Sequence, residues 1–409
     1  MNHIVIDELP KLDILMDPLL ATNPHEIFAE IHALPGHGVF RHPVEDDFLV
    51  VTQYAMLKWM TAHKNFQAQD LSRRKLGPPP GTIMGEMTKN HPLFINEPLH
   101  KPLHAAAFRA VGWQGKTKLE SMIENVANDL VDRLLDKETI DLVHDLAIPM
   151  AARVWITILG FSQEYAPPFE KLAGSLVEPL SFAPDLEKLT ELDKCTQDVW
   201  QILDDHAVDI LEADQLNAFQ IITPLLEAIQ DAGKPQSTAG MLAAMSADAI
   251  DGPSGMISNC LYHLLSEPDV MDDVKADYSL LPELWSETVR FSPAILGLHR
   301  CPIEDSSFED ITFPAGYNIL TLYAAGNQDP RIYDNPGTFD IHRAVKKPLT
   351  FGAGPRACVG RGIAKIEAEK AIAALLNKTS KIELLLDEPN WGKAGLARAI
   401  ESLPVRISR

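Results

Sequence analysis

Apolar residues recur at three- and four-residue spacings through most of the chain between about Lys101 and Arg290, the pattern of helices that bury one face. The clearest stretches run from Asp141 to Leu159 and from Thr238 to Ser266. Ahead of this block, Gly38-Val39-Phe40-Arg41 and Asp47-Phe48-Leu49-Val50-Val51 read as short strands close enough to pair. Between Leu71 and Ile95 the periodicity dissolves into Gly77-Pro78-Pro79-Pro80-Gly81, a stiff loop whose prolines carry no donors. Strand-like pieces return at Ile311-Thr312-Phe313 and Ile319-Leu320-Thr321-Leu322. A closing hairpin is expected from Lys381 to Leu385 with Pro404 to Ile407. The pattern predicts a mainly α protein with small peripheral β-sheets.

A chain of 409 residues would ordinarily suggest two or three domains. No Gly/Ser tract, charge block or internal repeat marks a linker, however. The acidic balance, 57 Asp and Glu against 36 Lys and Arg, argues against nucleic acid, whose phosphates require a basic face. The cysteines at 195, 260, 301 and 358 lack zinc-site spacing and are too few for a disulfide scaffold, which fits a reducing cytoplasm. Met1 to Pro10 contains neither a long apolar run nor a basic segment, so no signal peptide and no membrane anchor are expected.

The run Phe351-Gly352-Ala353-Gly354-Pro355-Arg356-Ala357-Cys358-Val359-Gly360 is a different kind of signal. Its glycines let the backbone turn tightly and approach a flat ligand. Arg361 to Ala368 then has helical spacing. Cys358 should therefore sit at a helix start, where free N–H groups and the helix dipole stabilise a thiolate. The ten residues match Phe-Gly-x-Gly-x-Arg-x-Cys-x-Gly, and on that signature the chain resembles the cytochrome P-450 superfamily. Ala324 to Pro330, Gly395-Leu396 and Leu403-Pro404-Val405 extend the resemblance, which runs from about residue 20 to the C-terminus. It implies one cytochrome P-450 domain over residues 1–409 and haem b (iron protoporphyrin IX) as cofactor. Cys358 would be the thiolate ligand of the iron, with Phe351, Gly352 and Gly360 shaping the loop around it. Lacking an anchor, the chain is similar to the soluble bacterial members rather than the microsomal ones.

The resemblance assigns further residues. Glu287-Thr288-Val289-Arg290 resembles the family's Glu-x-x-Arg, and Arg343 is the matching third member of a structural triad. Haem propionates need charge-assisted donors. Arg356, Arg300, His100 and His104 match the positions that supply them, with His104 standing where relatives carry arginine.

One segment departs from the family. Its helix over the haem usually carries Ala/Gly-Gly-x-Asp/Glu-Thr, whose acid and alcohol arrange proton delivery. Counted back from Pro268, the aligned residues are Asp248-Ala249-Ile250-Asp251-Gly252, followed by Pro253. Asp251 is then the acid and Gly252 replaces the threonine. A register one turn away gives the acid as Asp248 and the missing hydroxyl as Ala249. No threonine occurs between Thr238 and Thr288 in either case. Pro253, which costs about 3 kcal/mol against alanine in a helix interior, is expected to keep a groove open. Ser254 would offer its hydroxyl only if a bulge rewinds the helix. Asp248, if it faces the haem, would pair with a protein cation or a polar substrate group.

Together these imply a haem-thiolate monooxygenase that uses dioxygen on a small or medium hydrophobic substrate, by C–H hydroxylation or O-dealkylation. The expected pocket comprises Ile83, Met84, Phe94, Phe182, Ala249, Ala294, Ile295 and Leu296, with Arg73-Arg74-Lys75 as a carboxylate-binding option. Electrons would come from a separate ferredoxin and an NAD(P)H-linked ferredoxin reductase. Lys101, Arg109, Lys346, Lys347 and Lys365 would form the docking face of a monomer. The alternatives are a peroxide-driven or substrate-assisted oxidase, and a haem-binding sensor that does not turn over.

Overall fold

The computed structural model describes residues 4–13, 17, 19–35, 37–69, 81–112, 115–180, 185–214, 216–231, 237–344, 347–392 and 395–409. Its helices begin with α1 (Leu19–Thr22), α2 (Pro24–Ala33), α3 (Tyr54–Ala62), α4 (Ile83–Asn90) and α5 (His100–Gly112). The central block holds α6 (Lys116–Leu134), α7 (Ile148–Leu159), α8 (Ala166–Glu170), α9 (Leu186–Asp205), α10 (Ala207–Leu211) and α11 (Ala218–Asp231). Then come α12 (Thr238–Ser266), α13 (Pro268–Ala276), α14 (Leu281–Phe291), α15 (Tyr323–Gly326) and α16 (Arg361–Lys378). The helical block predicted between Lys101 and Arg290 is present.

The strands are peripheral. A five-stranded sheet has β1 (Val39–Arg41), β2 (Phe48–Val51), β3 (Phe66–Gln67), β5 (Leu298–Pro302) and β8 (Asn318–Thr321), in the order β1-β2-β8-β5-β3. Its β2–β8 pair is parallel, with Leu49 opposite Ile319. A second sheet joins β4 (Thr139–Asp141), β10 (Pro404–Ser408) and β9 (Lys381–Leu384). Its β9–β10 pair is the expected closing hairpin. Ile311–Phe313, β7, pairs with β6 (Ser306–Phe308), and Ile311 also bridges Ile4.

Helix α12 organises the rest. Its sequence is apolar or small on nearly every side, as a helix buried all round must be. Ser237 caps it by accepting the Gly240 N–H, and Pro268 lies just beyond its end. Trp155 of α7 donates to Ser246 across their contact at 2.7 Å. The stretch Asp141–Leu159 opens with a wide turn over Leu142–Ala147, capped by the Asp141 carboxylate, before α7 proper. Among the described residues Leu142–Leu159 is the one segment long and apolar enough to cross a membrane, and two-thirds of it is buried in this core. The helical core around α12 thus meets the sheet-side cores along the line where α14, β5 and the loop before α16 converge.

Candidate active site

The loop before α16 is tightly bound to itself. Cys358 donates its backbone N–H to the Phe351 carbonyl at 2.9 Å. Gly352 and Gly354 take φ of +64° and +69°, a region that favours glycine. A Cβ on Gly354 would also lie 3.0 Å from Ala62 Cα, so this turn needs glycine twice over. The backbone N–H groups of Gly360 and Arg361 lie against the Cys358 sulfur, at the start of α16. Burial pushes the Cys358 thiol up, Asp248 adds to that, and the two N–H donors pull it back. The side chain is nevertheless exposed. A group lining a deep cleft has both properties, because access and local polarity are different quantities. Phe351 is half-buried, stacked between Trp285 and the Arg361 guanidinium.

Cationic side chains gather beside this loop. Arg356 donates to the carbonyls of Leu93 and Ile95 and to Asn96 Oδ1, the last at 2.7 Å. Arg300, on β5, is buried and donates to the His299 carbonyl. Burial, and then the field of Arg300, push the Arg356 pKa down to about 10. His100 falls to about 4 through burial first and then the charges of Arg356 and His104. Among the described residues neither guanidinium forms an ion pair with a carboxylate. Arg300 and Phe94 line one small cavity together with Leu93 and Leu298. His104 is used otherwise: its Nε2 donates to the Ala357 carbonyl at 2.8 Å, hooking α5 onto the loop. An accessible sulfur, N–H groups beside it and two guanidiniums that form no ion pair among the described residues are a donor set for a metal-bearing dianion, so the residues present fit a haem with two propionates.

Behind the loop, the predicted triad is one buried network. Arg290 donates to both Glu287 oxygens, at 2.8 and 2.6 Å, and Arg343 reaches the same carboxylate at 3.3 Å. Arg290 also donates to the carbonyls of Asn327, Pro336 and Thr338. Asn327 in turn accepts the Leu349 N–H and donates to Thr350 Oγ1, just before Phe351. The network therefore ends in the backbone that leads into the cysteine loop.

On the opposite side, α12 runs unbroken through Gly252-Pro253, with no bulge. The expected opening of the helix is not seen. Ser254 instead donates to the Ile250 carbonyl at 2.6 Å, one turn back, so its hydroxyl is spent within the helix. Gly252 is half-buried, and a Cβ placed there would meet nothing within 4 Å. Asp251 does not reach toward the sulfur. Its carboxylate accepts the N–H groups of Gly174, Leu176 and Val177, at 2.5, 2.8 and 3.3 Å, and so pins the turn after α8. Burial pushes it up to about 7 despite those donors. Asp248 is the acid whose charge is felt at Cys358. It is half-exposed and accepts from His91 Nε2 at 3.1 Å.

The other pocket assignments divide. Ile83, Phe94, Ala249 and Ile295 are half-buried and available to a cleft. Met84 is buried against Leu189 and Leu192 of α9, and Leu296 sits in the sheet-side core with Phe40 and Leu320. Ala294 packs onto α12 at Gly255, 3.0 Å from where a Cβ would stand. These three are core residues: Met84 lies on the face of α4 packed against α9, and Ala294 and Leu296 point away from the side that Ile295 faces, because neighbours along an extended segment point to opposite sides. Phe182, Arg73-Arg74-Lys75 and Lys346 lie outside the described residues. Sequence reasoning missed His91, a lone histidine in an irregular segment with no motif to mark it.

A family model described as Cytochrome P450 matches residues 14–380. Among curated proteins, the chain is 29% identical over 329 residues to cytochrome P450 107B1 of Saccharopolyspora erythraea, covering 77% of each chain. It is also 29% identical to cytochrome P450(MEG) of Priestia megaterium, over 76% of each. Among solved structures it resembles P450BioI, crystallised with a hexadec-9Z-enoic acid-ligated acyl carrier protein. There the TM-score is 0.81 at 22% identity, over 94% of this chain and 99% of that one. CalO2 matches with a TM-score of 0.82 at 20% identity, over 96% of this chain and 98% of that one. The site geometry and the match along nearly the whole chain agree, and the chain belongs to the cytochrome P450 family of monooxygenases, which bind haem b through a cysteine thiolate.

Proposed function

We propose that this chain is a haem-thiolate monooxygenase in which Cys358 binds the iron and a small or medium hydrophobic substrate is held under α12. The observation that carries the reading is the accessible Cys358 sulfur at the start of α16, backed by the Gly360 and Arg361 N–H groups. Haem held there by the Cys358 thiolate would supply the dioxygen activation. The protein's own residues hold and orient. Arg300 and Arg356 would receive the propionates, with His100 beside them, and Phe351 would pack along the loop. Ala249, Phe94 and Ile295 would position an apolar substrate and keep water away from it.

Electrons would arrive from a ferredoxin and its reductase on the face bearing Lys101, Arg109 and Lys347, all exposed, and Lys365. Phe108 is 63% exposed on the same helix as Lys101 and Arg109, and gives that face an apolar contact. A monomer in the cytoplasm suits four free cysteines and a single-site architecture.

Proton handling would be atypical. The alcohol of relatives is replaced by Gly252, and the nearby Ser254 hydroxyl is committed to Ile250. That observation also favours a second reading, in which peroxide or a substrate group substitutes for the alcohol. The test is turnover of the holoenzyme with a ferredoxin pair under labelled dioxygen. Label in the product supports the monooxygenase, whereas product only with added peroxide supports the second reading. Substrate binding without any product under either oxidant would mark a sensor. Because Gly252 has open space at its Cβ, Gly252→Thr should raise the fraction of reductant recovered as product. Unchanged coupling would remove proton delivery from the account of this position.

A further inference from the structure

Between Ala239 and Leu261 every residue of α12 is buried except Asp248, Ala249, Gly252 and Pro253. Their spacing of one and four residues puts them on one helix face. That face meets His91, whose Nε2 lies 3.1 Å from Asp248 Oδ1, and the segment that follows His91 is bonded at Leu93, Ile95 and Asn96 by Arg356 of the cysteine loop. A carboxylate therefore stands at the edge of an otherwise apolar strip.

The carboxylate is held but not neutralised. Its side chain is 43% exposed, and Oδ1 takes a bond from His91 Nε2 at 3.1 Å. His91 is 2% exposed in its side chain. Its other nitrogen, Nδ1, accepts the Leu93 N–H at 3.1 Å, so the proton must sit on Nε2 and the ring is neutral. Among the described residues no lysine or arginine forms an ion pair with Asp248. The groups that share its field are Asp251 and Cys358, both acids. Among the described residues no backbone N–H bonds the Asp248 carboxylate, whereas that of Asp251 accepts three.

A carboxylate covered by an apolar ligand loses its water and gains nothing in return. An alcohol would return one hydrogen bond and leave the charge unpaired. A second carboxylate would be repelled. A cation restores both the bond and the balance. We infer that Asp248 is a substrate-binding residue for a basic nitrogen, so that the preferred ligand is an apolar body bearing one positive charge. His91 is the positioning residue that fixes the carboxylate. Only the word substrate rests on the monooxygenase reading; the binding itself does not.

Calorimetric titration of the ferric holoenzyme with octyltrimethylammonium, octan-1-ol and octanoate tests this. The three probes share one chain, and the quaternary nitrogen has no lone pair with which to ligate iron. The cation should bind at least about tenfold tighter than the alcohol, with octanoate weakest. Asp248→Asn should abolish that preference and leave octanol within about twofold of its original affinity. Asp248→Ala serves the same purpose if the amide variant does not fold. His91→Phe should cut the cation-to-alcohol ratio by about threefold without weakening octanol, which a merely structural role would not do. Three results overturn the inference: equal or tighter binding of octanol, a preference that survives in both Asp248 variants, or no binding of the cation below millimolar concentration. The titration needs neither electrons nor oxygen. Failure here is therefore distinct from failure of the monooxygenase reading, which is seen as absence of labelled product.

Discussion

Arg290 and Asp248 sit on neighbouring helices and are treated in opposite ways. Arg290 is 1% exposed, and its five hydrogen bonds go to Glu287 and three backbone carbonyls. Asp248 has one bond, to a neutral histidine, and nearly half of its side chain is accessible. In the network around Glu287, behind the cysteine loop, each group is held by several others, and bonding capacity is exhausted inside the protein. On the α12 side capacity remains for something that enters the cleft. The difference separates support from recognition without reference to any motif. Positions whose hydrogen bonds are all internal keep the loop in place, and positions with unspent capacity choose the ligand.

Four measurements would break or sharpen that contrast. The largest effect should come from Glu287→Ala, which leaves Arg290 and Arg343 without their counter-charge and should cost about 3–5 kcal/mol in a urea melt. A loss below about 1 kcal/mol would mean the support side is not one network.

Acid should act next, and on the support side. Burial, with Arg398 and His25 adding to it, lowers His263 to about 3, so the ring is neutral in the fold, stacked on Phe339 at 4.5 Å. A depressed pKa contributes stability that is present above the unfolded value of 6.5 and lost as pH falls toward the folded one. Stability should therefore drop on the order of 3 kcal/mol between pH 6.5 and 4 on account of this ring, and His263→Phe should flatten the profile. An unchanged slope in that variant would exclude the ring as the cause.

Asp251→Asn should be milder, about 1–3 kcal/mol, because an amide offers one oxygen to three N–H donors and turns its own N–H groups toward the rest. Faster hydrogen exchange at Gly174, Leu176 and Val177 would locate the loss. No change there would return Asp251 to the cleft.

The smallest effects distinguish two glycines of α12. Gly252→Ala, with open space, should stabilise by about 0.5–1 kcal/mol. Gly255→Ala, 3.0 Å from the Ala294 Cβ, should destabilise by about 1 kcal/mol or more. Equal outcomes would show that the exposed face of α12 is packed as closely as its buried one.

Much of this was legible in the chain itself, for identifiable reasons. Helix α12 begins and ends where a capping serine and a proline say it should. The cysteine loop and the Glu287-Arg290 pair are local patterns, and local patterns survive without coordinates. What escaped depends on contacts distant in sequence. His91 meets Asp248 across 157 residues, and His104 meets Ala357 across 253. Asp251 and Asp248 are one turn apart, yet only the tertiary neighbours of each decide which caps a turn and which faces the cleft. Met84 and Leu296 failed as pocket residues because an apolar side chain reads the same whether it lines a cavity or fills a core. Pro253 was expected to open the helix, but α12 runs on through it, and the Ser254 hydroxyl bonds the Ile250 carbonyl within the same helix.

The parallel pairing of β2 with β8 carries a consequence for how the protein is made. Phe48–Val51 pairs with Asn318–Thr321, about 270 residues later in the chain. At typical rates of synthesis the first strand leaves the ribosome roughly 15–55 s before its partner exists. During that interval its hairpin with β1 presents an unpaired edge, the kind of surface that recruits other chains. The helices between them can fold as they emerge, since their contacts are nearer in sequence. Yield in a cell should therefore be set by the waiting N-terminal hairpin, and slowing translation downstream of it should increase aggregation rather than relieve it.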